Sequence, residues 1–195
     1  MDGGVAHRTS RLPRRQSSHG TAGRQPAVAS PSVELTVRPA TAADVPALHR
    51  LRVGAEEWLA ARGIEQWGRG WLPPDVIGRQ VDDAQWHVGE SAGALAGGLR
   101  LLWADEEVWQ SDHAFAAYVH GLTIDRQYAG RRVGERLLAW AEEQGSAAGA
   151  PALRLDCVES NADLRAYYRR LGFTEVGRRD FDGPWLPATL LEKLL

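Results

Sequence analysis

The sequence predicts a mixed α/β domain, and three observations predict it. From Val33 onward, stretches of period-two alternation take turns with stretches of helical period, in the order β-α-α-β-β-β-α-β-α-β-β and without an internal repeat. Glycine, proline and acidic clusters separate these stretches at short intervals, as connections in a compact domain do. With 195 residues, 44% hydrophobic and 25% charged, the chain can bury one sizeable core but not two full-sized domains.

Val33, Leu35 and Val37 alternate with Glu34, Thr36 and Arg38, a half-buried strand that stops at Pro39. Thr41 then caps a helix with an acidic first turn, and Val45, Leu48, Leu51, Ala55 and Leu59 follow helical spacing towards Gly63. Pro73-Pro74-Asp75 opens a short second helix through about Val81. Residues 85–90 and 94–103 read as two strands joined by the small-residue turn 90–93, after which Asp105-Glu106-Glu107 breaks the pattern. Residues 115–124 form a further strand. Gly130 to Gly134 lead into a helix with Val133, Leu137, Leu138 and Ala141 on one face. Leu153, Leu155 and Cys157 alternate as a strand, Asn161 starts a helix to about Leu171, and strands at 173–179 and 186–193 complete the chain.

Charge is unevenly distributed. Residues 1–31 carry five arginines against Asp2, so this Gly-, Ser- and Pro-rich stretch is at +4 and the remainder at −6. We expect 1–31 to be a disordered basic tail, since it has too few large apolar side chains to offset the entropy of ordering. A net charge of −2 argues against nucleic acid as the main partner. No run approaches the roughly 18 to 20 apolar residues of a membrane span, and the first residues lack an apolar signal core. A cytoplasmic protein without a membrane partner is expected, and the single Cys157 fits a reducing compartment. His87, His113 and His120 show no ligand spacing, so no metal is expected.

The most informative stretch runs from Leu122 to Leu138, as strand, glycine-containing turn and helix start. The first turn of such a helix presents unpaired N–H groups at the positive end of its dipole, and glycines let an anion approach. A diphosphate cradle is therefore plausible, and the alternative is a turn glycine plus a packing glycine. Nucleotide motifs fail on identity, because Glu135-Arg136 follow Gly134 where a P-loop needs Lys and Ser or Thr, and no G-x-G-x-x-G is present.

This stretch resembles the coenzyme A motif of the GCN5-related N-acetyltransferase (GNAT) family, written Q/R-x-x-G-x-G/A. The matching positions are Ala129 to Gly134, with Ala129 in place of Gln or Arg and Arg132 in place of the first glycine. Asn161 to Phe173 resembles the family's N-x-x-A/S-x-x-L/F-Y-x-K/R-x-G-F segment, and Val37 to Asp44 its first strand and helix. The resemblance spans the whole of 32–195, which would be an N-acetyltransferase domain with the GNAT fold, a mixed and mostly antiparallel sheet flanked by helices. It implies acetyl-CoA as co-substrate, no metal, and transfer of acetyl to a primary amine. Binding of coenzyme A would fall to Leu122, Thr123, Ile124, Ala129, Gly130, Arg131, Arg132, Val133, Gly134, Glu135 and Asn161. The backbone of Leu122 to Ile124 would supply the oxyanion donor.

The chemistry needs a neutral amine and a stabilised thiolate. Removing the proton from an alkyl ammonium with a pKa near 10.4 costs roughly 4 to 5 kcal/mol at neutral pH. Tyr168 is implied as the group that hydrogen-bonds the leaving sulfur, with Tyr167 facing the core. His120 is the candidate base, since an imidazole titrates near neutrality. Glu56, Glu57 and Asp112 are alternatives acting through water. His120 shares parity with Tyr118 on a regular strand, but a bulge at Gly121 would shift that register. Trp58, Trp67 and Trp71, with Glu56, Glu57, Glu65, Asp105, Glu106, Glu107 and Asp112, would form aromatic and acidic walls for a small cationic amine, polyamine-like or aminoglycoside-like. A protein or peptide N-terminus is the alternative acceptor, a non-catalytic acyl-CoA-binding module the alternative class, and a homodimer is compatible with either.

Overall fold

The computed structural model describes residues 34–67, 70, 72–110, 115–183 and 185–195. The tail, Trp71, Asp112 and His113 lie outside the described residues. Strand β1 (Thr36–Pro39) leads through a single 3-10 turn into helix α1 (Val45–Ala60), followed by α2 (Pro74–Asp82), β2 (Trp86–Ser91) and β3 (Ala94–Leu102). A four-residue helix, α3 (Glu106–Trp109), precedes β4 (Ala117–Ile124). Helix α4 (Val133–Ala147), β5 (Ala152–Val158), α5 (Ala162–Arg170), β6 (Thr174–Arg179) and β7 (Ala188–Leu194) complete the order. The expected succession of elements holds. The addition is α3, which forms because the Asp105 side chain accepts the Val108 N–H at 3.2 Å, turning an acidic pattern breaker into a helix cap.

The seven strands form one sheet in the order β1-β2-β3-β4-β5-β7-β6, antiparallel throughout except for the parallel pair β4–β5. Entry into α1 is fixed by Asp44, whose carboxylate accepts the Thr41 N–H at 2.7 Å and a two-point ion pair from Arg38. Arg38 foremost, with both Thr41 groups, lowers the Asp44 pKa to about 2 against the cost of burial. Helices cover both faces. A Cβ on Gly97 would come within 2.8 Å of Ile124 and 3.2 Å of Leu137 on the α4 side, whereas one on Gly98 would come within 2.8 Å of Leu48 of α1. Two adjacent residues without side chains thus let both layers close onto β3. The larger core joins Val133, Leu137, Leu138 and Ala141 of α4 to Leu99, Val119, Leu153, Leu155 and Leu191 of the sheet. The smaller core joins Leu48 of α1 and Ile77 and Val81 of α2 to Trp86 and Val88. No described helix is long and apolar enough to cross a membrane.

Two irregularities position the site. The β4–β5 ladder covers only Ala117↔Leu153, Tyr118↔Arg154 and Val119↔Leu155, after which the strands part. On the other edge of β4, Arg100 pairs with His120 and Gly98 with Thr123, so two residues, Gly121 and Leu122, oppose Leu99 alone. This is the bulge expected at Gly121, whose φ of +62° is a conformation open to glycine. Gly98 and Arg100 share a face, so His120 shares its face with Thr123 and not with Leu122 or Ile124.

Candidate active site

The parting of β4 and β5 opens a cavity of about 1120 Å³. Its walls bring together side chains distant in sequence: Arg52 and Glu56 of α1, Trp67 of the following loop, Arg100 of β3, His120 of β4, Asp156 and Cys157 of β5, and Tyr168 of α5. His120 lies at the centre of a charged group. Asp105 Oδ2 accepts a hydrogen bond from its Nε2 at 2.9 Å, and Asp156 Oδ1 lies 3.4 Å from its Nδ1. Burial by itself would favour the neutral ring, but the bond to Asp105 and the charges of Asp156 and Asp105 outweigh it and hold His120 above the usual histidine value, with Arg100 opposing. Burial also pushes the Asp156 carboxyl up. For Asp105 burial is overcome by the His120 hydrogen bond and charge, which carry its pKa below the ordinary carboxylate value.

Tyr168 is almost fully buried, packed edge-on against Phe173 and Tyr167 at centroid distances of 5.8 and 5.4 Å. Burial, foremost, drives its phenol far above the usual value, so the hydroxyl keeps its proton. Burial likewise pushes the Cys157 thiol up to about 12, which leaves it an inert wall and not a nucleophile. Tyr167 packs against the core as expected, and it is the less buried of the two tyrosines. It lines the cavity, with its hydroxyl 2.9 Å from where a Cβ on Gly134 would stand. An apolar side chain there would sit in the core, but the phenol reaches past it to the first turn of α4.

The turn from β4 to α4 is built for close approach to the backbone. Asp125 accepts the Gln127 N–H at 2.9 Å and starts a 3-10 turn over Arg126–Tyr128. Gly130 follows at φ +76° with open space where a side chain would be, and Arg132 caps α4 at φ +60°. Arg132 therefore keeps the left-handed backbone for which glycine is suited, at a cost of about 1 kcal/mol, and its side chain turns out to Glu135 at 2.6 Å. Val133 is buried as a core anchor, while the N–H groups of Val133, Gly134 and Glu135 stand in the first turn without intrahelical partners. Leu122 and Ile124 line the cavity, and Thr123 is buried with its hydroxyl donating to the Gly121 carbonyl at 2.9 Å.

The remaining expected residues divide. Glu56 lines the cavity, buried, accepting from Arg52 Nε at 2.6 Å and from the Gly70 N–H at 3.1 Å. Trp67 lines it too, with the Arg52 guanidinium 4.0 Å from its ring. Glu65, Asp105 and Glu107 are also in its walls. Glu57 is exposed on the outer side of α1, and Trp58 lies between Arg62 and Arg126, each about 4 Å from its ring, so neither belongs to the walls. The register explains this, since Glu56 and Leu59 occupy the inward stripe of α1 and residues 57 and 58 fall beside it. Asn161 caps α5, accepting from the Leu164 N–H at 3.1 Å, and donates to Gln66 Oε1 at 2.9 Å, tying the loop after α1 to α5. Sequence reasoning missed Asp156. The signal was a carboxylate between Leu155 and Cys157, on the same face as Arg154 in a strand whose other residues are apolar.

A family model described as the Acetyltransferase (GNAT) family matches residues 52–173. The chain belongs to this family. It is 33% identical over 147 residues, 71% of this chain and 81% of the relative, to the uncharacterized N-acetyltransferase YesJ of Bacillus subtilis strain 168. A GNAT-family acetyltransferase structure from Listeria monocytogenes 4b F2365 superposes with a TM-score of 0.69 at 29% identity, covering 84% of this chain and 96% of that one. The fold is also shared with yncA from Salmonella typhimurium, solved with its cofactor acetyl-CoA, at a TM-score of 0.61 and 19% identity over 83% of this chain and 94% of that one. The acetyltransferase is thus a GNAT enzyme whose cleft lies at the β4–β5 parting.

Proposed function

We propose that this acetyltransferase moves an acetyl group from acetyl-CoA to the primary amine of a small cationic acceptor of polyamine-like or aminoglycoside-like chemistry. The observation that carries the acceptor class is one cavity in which Glu56, Glu65, Asp105, Glu107 and Asp156 surround His120 and Tyr168, with Trp67, Phe181 and Trp185 as aromatic walls. Carboxylates in a partly enclosed cleft concentrate cations, and aromatic faces stabilise them further.

Acetyl-CoA supplies a thioester-activated acetyl group and a thiolate leaving group. The first turn of α4 suits its diphosphate, since Gly130 leaves open space beside unpaired N–H groups and Arg131, Arg132 and Arg136 add positive charge. Leu122 to Ile124 lie on the edge of β4 that has lost its partner strand, so their backbone is the natural support for the pantetheine arm and a donor for a developing oxyanion. Asn161 would hold the same arm from the start of α5, through which it is already tied to Gln66. Tyr168 gives a hydrogen bond to the departing sulfur. Because burial strengthens its hold on the proton, it stabilises the thiolate as a donor without protonating it fully. His120 takes the proton of the acceptor.

Free thiol released from acetyl-CoA in the presence of an amine panel tests the reading. Polyamines and aminoglycosides should give kcat/KM values at least about tenfold above neutral or acidic amines, with KM rising with salt as screening weakens the acidic walls. A preference for a peptide N-terminus, insensitive to salt, would overturn the acceptor class.

A further inference from the structure

The two carboxylates on His120 are not equivalent. Asp105 has a side chain only 6% exposed, caps α3 and accepts the short bond from Nε2, whereas Asp156 is 24% exposed and meets Nδ1 at the longer 3.4 Å. An ionised carboxylate only accepts hydrogen bonds, so with Nε2–H given to Asp105 the 3.4 Å approach of Asp156 Oδ1 to Nδ1 is attractive only when one of the two carries a proton. We propose that Asp105 is a positioning residue that fixes the Nε2–H tautomer of His120, and that His120 Nδ1 and Asp156 Oδ1 form one proton-accepting unit, holding a single shared proton at rest. The proposal rests on the acetyl-transfer reading above.

The unit acts after it has lost the shared proton to solvent. The N–H bond of the bound ammonium then breaks, the proton passes to the Nδ1–Oδ1 site, and the electron pair stays on nitrogen, which becomes the nucleophile. The acceptor loses its positive charge and the unit, an anion when deprotonated, becomes neutral, with Asp105 stabilising its imidazolium form. The other groups facing the unit come from every side of the cavity: Arg100 from β3, Glu107 from α3, Cys157 from β5, Tyr168 from α5, and Arg52 with Glu56 from α1. Arg100 opposes protonation of the ring and the carboxylates favour it. The competent, deprotonated unit therefore forms only as pH rises past the raised value of His120, which places the acid limb of kcat/KM above the pKa of a free imidazole. Removing the Asp156 charge moves that limb to lower pH.

The test is titration of the imidazole nitrogens by NMR on the full chain without substrate, alongside pH profiles of thiol release. Loss of one signal set in His120→Gln assigns the ring. Asp156→Asn should lower the His120 midpoint by about one pH unit or more, tenfold in proton affinity, and shift the acid limb with it. Asp156→Glu, which keeps a carboxylate, should restore both and guards against a variant that merely folds badly. Asp105→Asn should lower the midpoint and release the tautomer, visible in the nitrogen shifts. A midpoint unmoved in Asp156→Asn overturns the shared site, and a moved midpoint with an unmoved acid limb overturns its role as proton acceptor. A wild-type chain that shows these titration shifts but acetylates no amine overturns the functional reading and keeps the shared site.

Discussion

Two charged pairs lie one step apart on the same face of β4 and β5. In the first, Arg154 donates to the Tyr118 hydroxyl at 3.1 Å and to Glu192 at 2.8 Å, with its guanidinium 4.6 Å from the Trp109 ring. In the second, His120 meets Asp156 at 3.4 Å and Asp105 at 2.9 Å. Both set an aromatic ring of β4 beside a charge of β5. The difference is the ladder. Tyr118 and Arg154 are paired within it, and their charge is surrounded by partners in fixed positions, while His120 and Asp156 lie just past its last pair, where a cavity replaces the neighbouring strand. An ion cluster closed by the sheet stabilises structure, and the same pattern at an opening is left with capacity to exchange a proton.

The contrast can be broken most severely at its closed member. Arg154→Met takes the guanidinium from the half-buried Glu192 carboxylate and should cost about 3 kcal/mol, read from the denaturant midpoint at constant slope. Asp156→Asn, by contrast, removes a carboxylate that burial disfavours and should leave the midpoint level or raise it. Equal losses in the two variants would erase the distinction. Next in size, Tyr168→Phe keeps the ring packing and deletes the donor, so kcat should fall about 10²-fold, roughly 2.7 kcal/mol, with thermal stability maintained. A matching loss of stability would reassign Tyr168 to the core. Gly121→Ala sharpens the comparison from the backbone side, because φ +62° strains any side chain and its Cβ would stand 2.9 Å from Trp86. A loss of about 2 kcal/mol is expected, and a calorimetric scan that shows none would mean the bulge is not held by Gly121. The smallest effect lies at the cofactor turn: Arg132→Gly relieves the left-handed strain and should raise stability by up to about 1 kcal/mol, visible as a small rise in melting temperature.

Much of the fold was legible because it rests on local signals. Asn161 behaves as the cap its position predicts, while Thr41 precedes a 3-10 turn and donates to Asp44, the residue before α1; Val133, Leu137, Leu138 and Ala141 are the buried stripe of α4, and Ala92 and Gly93, within the expected turn, join β2 to β3. The cavity was legible in part, since Leu122, Ile124, Gly134 and Tyr168 line it. It was less so where side chains from separate elements meet. Glu56 was distinguished from Glu57 only by the inward face of α1, Trp58 proved to be held between two arginines, and Asp156 gave no sign beyond being a carboxylate in a mostly buried strand. Tyr167 packs against the core as expected, and only the fold shows that its hydroxyl also reaches Gly134 at the cavity wall.

The sequence by itself determined the succession of elements, the family and the glycine turn that opens α4, since capping, periodicity and glycine placement act within a few residues of one another. Only the tertiary structure decided the chemistry of His120. Its neighbours Asp105 and Asp156 come from different elements, and the distance between them depends on where β4 and β5 part and on the bulge at Gly121. Both are properties of strand pairing, which no single stretch of sequence contains.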